Sequence, residues 1–499
     1  MLSEMLSATV LGVDGVPVRV EADVAFGLPS LTIVGLAGSA VQEARERVRS
    51  AIRNCGFEVP ARRITVNLAP ADLPKEGTSY DLAIAVAILG ASGQLGLAPT
   101  RRCALIGELA LDGSLRAVPG TLALAAAARS ADVTEVIVPQ ASVREAASVR
   151  EISVRGAASL GDAVAHLVGL RELPAAEPTP IPAWSAPSGV PDLGVVIGQP
   201  LARRALEIAI AGRHSLALSG PPGIGKTLIL RCGEGLLPPL EEGEAVEVSR
   251  IHSVAGLIDR REPVIRRRPF RAPHHTVSTQ ALVGGGSRVR PGEASLAHRG
   301  VLMLDEMLQF RADALDALRQ PLESGIVTIA RVEGALTLPA RFTLLAAFNP
   351  CPCGWRGSHR HACRCEDGAA RRYASRLSGP LRDRLDLWVA MDEPELRGAP
   401  DGAEPSSVVA ERVHAAWRLQ VERQGLANAE LQGALGADGG LSARLGGLLQ
   451  QRGRRFALSP RRLHRVARVA RTIADLAGAP AVRQPDLDEA LAYRPERAT

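Results

Sequence analysis

Short apolar runs alternate with amphipathic stretches along the first third of the chain. Ile64–Leu68 and Val133–Val138 have the length and the β-branched content of buried strands. Val41–Asn54 and the alanine-rich Thr121–Ser130 have the spacing of helices. This alternation predicts a mixed α/β domain over residues 1–170.

The pattern changes after this domain. Leu173–Pro191 contains six prolines among small and polar residues, which predicts an extended linker over residues 171–191 rather than a packed element. Strand and helix signals alternate again over residues 192–395 and predict a second α/β domain. After a loop at Arg397–Ser407, residues 408–499 have a mostly helical pattern.

The composition is that of a globular protein. The chain of 499 residues is 46% hydrophobic and 22% charged, with a formal net charge of +6. This charge permits an anionic partner without requiring one. The apolar run Leu82–Gly90 is too short to cross a bilayer, and the first residues lack the basic start and apolar core of a secretion signal. We therefore expect no membrane insertion and a cytoplasmic location.

A phosphate-binding loop follows the apolar run Leu216–Ser219. The pattern G-x-x-x-x-G-K-T stands between a predicted strand and a predicted helix, where backbone N–H groups and the positive helix end bind phosphate. Of the 59 basic residues only Lys75 and Lys226 are lysine. Because arginine is the usual cation of this chain, a lysine in the motif indicates that the smaller ammonium group is needed there. We expect Lys226 to reach the β- and γ-phosphates of ATP and Thr227 to bind Mg²⁺. The residues expected to hold the nucleotide are Gly220, Pro221, Pro222, Gly223, Ile224, Gly225, Lys226 and Thr227.

Two acidic residues end a second apolar run. Asp305 and Glu306 follow Val301–Leu304, which fits a parallel strand whose carboxyl end faces the ligand. We expect Asp305 to hold the Mg²⁺ through water and Glu306 to polarise the attacking water as a general base. Together with the phosphate loop, this pair predicts an enzyme that hydrolyses ATP.

Longer motifs lie outside these two. They are Arg62–Leu73, Arg268–His275, Gly284–Gly286, Arg290–His298, Leu318–Glu323, Asn349–Gly354 and Ala470–Leu476. In these residues the chain resembles the magnesium-chelatase-like family of AAA+ ATPases, and more closely its YifB/ComM branch. The resemblance covers nearly the whole chain. It implies a P-loop NTPase core with a helical lid, preceded by an α/β domain of the Lon-protease/S5 type, and assembly into a ring, expected to be a hexamer.

The resemblance also implies roles by position. Asn349, which follows the apolar run Thr343–Phe348, corresponds to the sensor that positions the hydrolytic water. Arg384 corresponds to an arginine finger offered to the ATP of a neighbouring subunit, with Arg382 as the alternative. Arg461 corresponds to the second sensor, on the helical lid.

The resemblance to a Lon-type protease domain places Ser79 at the position of the nucleophile. A Ser–Lys mechanism needs a lysine from a following helix to take the hydroxyl proton. The matching region, Pro119–Leu124, contains no lysine, and no other lysine lies between Lys75 and Lys226. Arginine cannot replace it because it stays protonated. We therefore expect no peptidase activity and a role in scaffolding or ring assembly.

Four of the seven cysteines lie in one short segment, as Cys351, Cys353, Cys363 and Cys365. Four thiolates suit a tetrahedral structural Zn²⁺, although the C-x-C spacing is tighter than usual. His359 and His361 lie inside the segment and are alternative ligands. A reduced loop without metal, or one that forms a disulfide on oxidation, is the other interpretation.

Two segments are rich in arginine. Arg250–Arg299 holds ten arginines against three acidic residues, and Arg452–Arg471 holds eight with none. Charge alone fits either a surface that grips DNA phosphates or a solvated surface with nucleotide contacts. The resemblance favours DNA, since the ComM branch is associated with branch migration in natural transformation, and it implies a DNA translocase or helicase with contacts to the DNA backbone. Gly325–Phe342, with a turn at Arg331–Gly334, is interpreted as a hairpin for the pore of the ring. A remodeller of protein complexes and an insertion motor of the magnesium-chelatase kind are the alternatives.

Overall fold

The computed structural model describes residues 1–95, 102–131, 133–286, 289–331, 334–393, 403–433, 440–455 and 458–494. The chain forms two compact units. The first comprises Met1–Ala183 and Glu241–Arg266, and the second comprises Trp184–Leu240 and Arg267–Thr499. The backbone therefore passes between the units at Ala183/Trp184, at Leu240/Glu241 and at Arg266/Arg267.

The elements are named here in chain order. The strands are β1 (Leu2–Leu11), β2 (Asp14–Ala25), β3 (Ser30–Val34), β4 (Arg63–Ala69), β5 (Cys103–Leu105), β6 (Glu108–Leu109), β7 (Leu115–Arg116), β8 (Glu135–Pro139), β9 (Ser153–Ala157), β10 (Leu216–Ser219), β11 (Phe270–Arg271), β12 (Gly284–Gly285), β13 (Arg290–Pro291), β14 (Val301–Leu304), β15 (Ile326–Arg331), β16 (Gly334–Pro339), β17 (Thr343–Phe348) and β18 (Leu387–Ala390). The helices are α1 (Ser39–Asn54), α2 (Asp81–Ala91), α3 (Thr121–Ser130), α4 (Val143–Ala146), α5 (Leu160–Leu167), α6 (Pro200–Gly212), α7 (Lys226–Cys232), α8 (Glu242–Val254), α9 (Thr279–Val283), α10 (Glu293–Leu296), α11 (Ala312–Ala317), α12 (Pro321–Ser324), α13 (Asp367–Ala374), α14 (Gly379–Arg382), α15 (Ser406–Gln424), α16 (Ala443–Arg455), α17 (Pro460–Leu476) and α18 (Gln484–Ala492).

The first unit is built on a mixed sheet with the strand order β3-β4-β2-β1-β5-β8-β9. The pairs β1–β2 and β2–β4 are antiparallel, and the other neighbouring pairs are parallel. One apolar cluster joins α1, α2 and α5 to β2 and β4, and another joins α3 and α4 to β8. Helix α2 is buried almost along its whole length, which explains the apolar run noted in the sequence. No described helix combines the length and the hydropathy needed to span a bilayer.

The first part of the proline-rich segment is packed, whereas the sequence predicts an unpacked linker over residues 171–191. Leu173 is buried in the first unit. Ala175 forms a β-bridge with Arg155, and the backbone N–H of Ala176 donates to Val154 O at 2.8 Å. The segment is extended as its prolines favour, but it lies along β9 and contributes a side chain to the core.

Helix α8 lies in the first unit, although the sequence assigns it to the domain predicted over residues 192–395. It packs on α3, and the backbone N–H of Gly120 donates to Ser253 O at 3.0 Å. The hydroxyl of Ser253 also donates to Glu145. Each unit is therefore made of two separate stretches of the chain and not of one continuous range.

The second unit is built on a parallel sheet with the strand order β11-β14-β17-β10-β18. Strands β14 and β17 are buried throughout, as expected for strands that are covered on both faces. One apolar core joins this sheet to α6, α7, α15, α17 and α18. Because the strands are parallel, the loops after β10, β14 and β17 meet at one edge of the sheet.

Candidate nucleotide site

The phosphate loop, residues 220–227, connects β10, which lies between β17 and β18, to α7. Gly223 and Gly225 have φ of 79° and 90°, a left-handed conformation that costs glycine little and other residues much. Helix α7 begins at Lys226. The turn therefore directs the start of α7 toward the edge where the neighbouring strands end.

Lys226 lies buried inside this loop. Its Nζ donates to Gly220 O at 2.7 Å, to Pro221 O at 2.6 Å and to Asn349 Oδ1 at 3.1 Å. Burial lowers the pKa of Lys226 to about 8, against the opposing effect of Asp305 and Glu306. The structure therefore brings together the predicted phosphate-binding lysine and the predicted sensor, which are separated by 123 positions in the sequence.

Thr227 and the acidic pair also meet. The Thr227 hydroxyl donates to Asp305 Oδ2 at 2.9 Å, which places the two predicted Mg²⁺ ligands side by side. Glu306 has φ of 51°, a conformation that non-glycine residues adopt at a cost and that is concentrated at functional sites. His275 Nδ1 lies 3.6 Å from Glu306 Oε2. The sequence assigns no role to His275, although the residue stands in the His274-His275 pair of a family motif.

Arg384 and Arg461 meet at Glu323. Arg461 Nη2 donates to Glu323 Oε1 at 2.5 Å, and Arg384 Nη2 donates to Glu323 Oε2. Arg382, the alternative finger, instead places its guanidinium over the ring of Trp388, 5.8 Å from the ring centre. Sequence reasoning missed Glu323, although it ends the motif Leu318–Glu323.

The cysteine segment forms a compact cluster. The Sγ atoms of Cys351 and Cys353 are 3.5 Å apart, and each lies 3.6 Å from Sγ of Cys363. With Cys365, all four sulfurs lie within 4.8 Å of one another. Backbone N–H groups of Trp355 and Arg364 lower the pKa of the Cys353 thiol to about 6.

The two histidines of this segment are not members of the cluster. The ring of His361 packs against Trp355, with centroids 4.2 Å apart. The turn at Gly354 in the same segment lies against Pro222 of the phosphate loop. The four-cysteine set is thus the one that the structure supports, and it adjoins the nucleotide site.

The arginines of the C-terminal segment are mostly paired inside the second unit. Arg468 donates to Gly433 O at 2.9 Å and to Ala429 O at 3.3 Å. The ion pairs are Arg452–Asp488, Arg461–Glu323, Arg462–Asp383, Arg465–Asp386 and Arg471–Asp475. Three of these pairs, those of Arg461, Arg462 and Arg465, join α17 to Glu323, Asp383 and Asp386. Of the two interpretations of this segment, they favour internal contacts over a free basic stripe.

Ser79 of the first unit is buried. Its hydroxyl donates to Ala8 O at 3.1 Å, and Lys75 donates its Nζ to Pro70 O. Burial lowers the pKa of Lys75. In these two contacts Ser79 and Lys75 each donate to a backbone carbonyl oxygen, not to one another.

The strand order of the second unit, the phosphate loop after its inner strand β10 and the Asp305–Glu306 pair define a P-loop NTPase of the AAA+ type. The family models described as "Magnesium chelatase, subunit ChlI", "Subunit ChlI of Mg-chelatase" and "Magnesium chelatase, subunit ChlI C-terminal" match residues 192–398, 20–142 and 403–494.

Relatives match nearly the full length. YifB of Salmonella typhimurium is 43% identical over 500 residues, covering 97% of this chain and 95% of that protein. The competence protein ComM of Haemophilus influenzae is 42% identical over 504 residues, covering 99% of this chain and 97% of that protein. A Lon protease of Salinispora arenicola is 29% identical over 161 residues, covering 29% of this chain and 20% of that protein. The chain therefore belongs to the magnesium-chelatase-like AAA+ family, in its YifB/ComM branch, with a Lon-protease/S5-like α/β domain preceding the ATPase core and its helical lid.

Proposed function

We propose that this chain is an ATP-hydrolysing motor that assembles into a ring, with a hexamer as the expected form, and drives DNA branch migration. The observation that carries the proposal is the meeting of Lys226, Thr227, Asp305 and Asn349 at one edge of the sheet. The near full-length similarity to a competence protein supports DNA as the client.

Each residue of this edge has a role in the proposed reaction. Lys226 binds the β- and γ-phosphates with its ammonium group, which lies inside the phosphate loop. Glu306 takes the proton of the attacking water as general base, and Asn349 orients that water. Thr227 and Asp305 would hold Mg²⁺, which when bound neutralises phosphate charge.

Arg384 is proposed as the finger that acts on the ATP of a neighbouring subunit, and Arg461 as the second sensor on the lid. Their described hydrogen bonds are to Glu323 and Pro380, outside the phosphate loop of their own chain. A guanidinium supplied by a neighbour stabilises charge on the transferred phosphoryl group and accelerates hydrolysis by about 10³-fold or more.

The client is proposed to be DNA, contacted through its backbone. The segment predicted as a pore hairpin does form an antiparallel pair, β15–β16, with Ile326 opposite Pro339. Val332 and Glu333 of its predicted turn lie outside the described residues. A hairpin of this kind can carry a nucleic-acid strand through a ring when the subunits hydrolyse ATP in turn.

The test is steady-state ATPase with and without single-stranded and forked DNA. We expect stimulation by DNA that falls steeply with salt, because contacts to phosphates release counterions. Lys226→Ala should lower the ATPase rate by at least about 100-fold, as the loss of a hydrogen-bond donor to the transition state does. Glu306→Gln should also lose ATPase activity but still bind ATP and assemble, which separates loss of hydrolysis from loss of binding. ATPase activity that ignores DNA would contradict the DNA client and favour a remodeller of protein complexes.

A structural zinc ion is proposed for Cys351, Cys353, Cys363 and Cys365. Tetrahedral coordination with Zn–S distances of about 2.3 Å puts sulfurs a little under 4 Å apart, which the observed Sγ separations of 3.5 and 3.6 Å approach. Zinc would hold the loop that follows the sensor Asn349 in one conformation.

A further inference from the structure

Glu323 holds two arginines of one subunit in one geometry. Each of its carboxylate oxygens accepts from a different guanidinium, Oε1 from Arg461 and Oε2 from Arg384. These arginines come from distant parts of the chain, 138 and 61 positions away. Glu323 therefore links the lid helix α17 to the segment after α14.

Glu323 and Arg461 lie at the surface, and Arg384 is buried beside them. The side chains of Glu323 and Arg461 are 47% and 49% exposed, while that of Arg384 is 10% exposed. A cavity of about 530 Å³ opens beside them and is lined by Glu323, Arg461, Arg465 and Arg468, among other residues. An anionic group entering this cavity meets arginines from α17.

The negative charge of Glu323 offsets the repulsion between the two positive arginines. Two guanidinium groups brought together repel each other, and one carboxylate between them replaces that repulsion with two charge-assisted hydrogen bonds. The arginines hold the pKa of Glu323 below its ordinary value. The group of three keeps a net positive charge, which suits an approaching phosphate.

We propose that Glu323 is the positioning residue that fixes Arg384 and Arg461 as a pair, so that both reach the phosphates of the ATP bound to the neighbouring subunit. This inference rests on the proposed function. It adds a residue that acts through the arginines rather than on the nucleotide. Arg465 also holds α17 to the segment after α14, since its Nη1 donates to Arg384 O and to Asp386 Oδ1, both at 2.7 Å.

The test uses mixed rings in which two subunits have complementary defects. An acceptor subunit with Arg384→Ala keeps its own nucleotide site but lacks the finger. A donor subunit with Glu306→Gln keeps its arginines but cannot hydrolyse ATP. Each alone should be nearly inactive, and mixing them should restore ATPase activity because the donor's arginines serve the acceptor's ATP.

Glu323→Gln is then added to one subunit at a time. In the donor it should lower the restored kcat by about tenfold or more, the scale of one lost charge-assisted contact, with the KM for ATP unchanged because the acceptor's phosphate loop is intact. In the acceptor the same substitution should change the restored rate little, since that subunit already lacks Arg384 and its arginine side supports no hydrolysis in a neighbour.

The outcomes separate the inference from the function on which it rests. Mixed rings of the two single variants that stay inactive would overturn the trans assignment of the arginines, and the inference with it. Restored activity that Glu323→Gln lowers equally in either subunit indicates a structural role and overturns the inference alone. A donor whose Glu323→Gln raises the rate would show that Glu323 restrains the arginines, which also overturns it.

Discussion

Gly354 of the cysteine segment and Pro222 of the phosphate loop are in direct contact. A Cβ atom on Gly354 would lie 2.8 Å from Cδ and 3.2 Å from Cγ of Pro222, and the φ of Gly354 is 85°. The proline ring is stiff and cannot swing away as a long side chain would. The position of the cysteine segment therefore limits the conformations open to the phosphate loop.

Gly354→Ala should weaken nucleotide binding. The added methyl group must displace Pro222, and we expect the Kd for ATP to rise by about tenfold, equivalent to about 1.4 kcal/mol. Titration with a fluorescent ATP analogue measures this. Gly357→Ala is the matched control, because Gly357 has a similar φ of 83° but no atom within 4 Å of an added Cβ. Equal losses in the two variants would attribute the effect to backbone strain instead of the contact.

The purified chain should contain about one equivalent of tightly held zinc, as expected for a four-thiolate site. Cys363→Ser should lower that content, whereas Cys55→Ser, in the first unit, should leave it unchanged. Replacement by Co²⁺ should give the absorption bands of tetrahedral thiolate coordination, a signal independent of ATPase activity. Less than about half an equivalent of zinc after washing with a chelator would contradict a structural site.

The first unit should have no peptidase activity. Ser79 donates its hydroxyl to Ala8 O, and the region where a general base is needed, Pro119–Leu124, supplies no lysine. A fluorescent casein assay should give the same background for the natural chain and for Ser79→Ala, with and without ATP. Cleavage that disappears in Ser79→Ala would contradict this prediction.

Asp475 should be needed for the stability of the lid. It is 1% exposed and accepts hydrogen bonds from Arg423, Arg471 and Asn428. Asp475→Ala leaves the buried Arg471 and the partly exposed Arg423 without their carboxylate and should cost about 3–5 kcal/mol. Asp488, the partner of Arg452, is 43% exposed, so Asp488→Ala should cost about 0–1 kcal/mol. Thermal unfolding of both variants measures the difference, and equal midpoints would refute it.

The sheet of the second unit could be predicted closely from the sequence. The apolar runs Leu216–Ser219, Val301–Leu304 and Thr343–Phe348 coincide with β10, β14 and β17, because a parallel strand covered on both faces is apolar at every position. The nucleotide-site motifs were equally visible, since backbone chemistry at a phosphate loop demands particular residues.

Contacts between distant polar residues could not be predicted in this way. Glu323 occurs in a short helix whose local pattern does not indicate two arginine partners far along the chain. The sequence of α8 does not indicate that it packs on α3. Leu173 shows the same limit, since prolines around it predict an extended backbone without indicating that the backbone is packed.

The placement of α8 determines where the chain can be cut into separate units. The segment that completes the Lon-like unit is encoded inside the ATPase sequence, between the phosphate loop and the acidic pair. A chain cut at the proline-rich segment would keep α8 but lose α3, the helix that α8 packs on. The two units are thus interleaved in the sequence rather than joined end to end, and no single cut in the chain separates them.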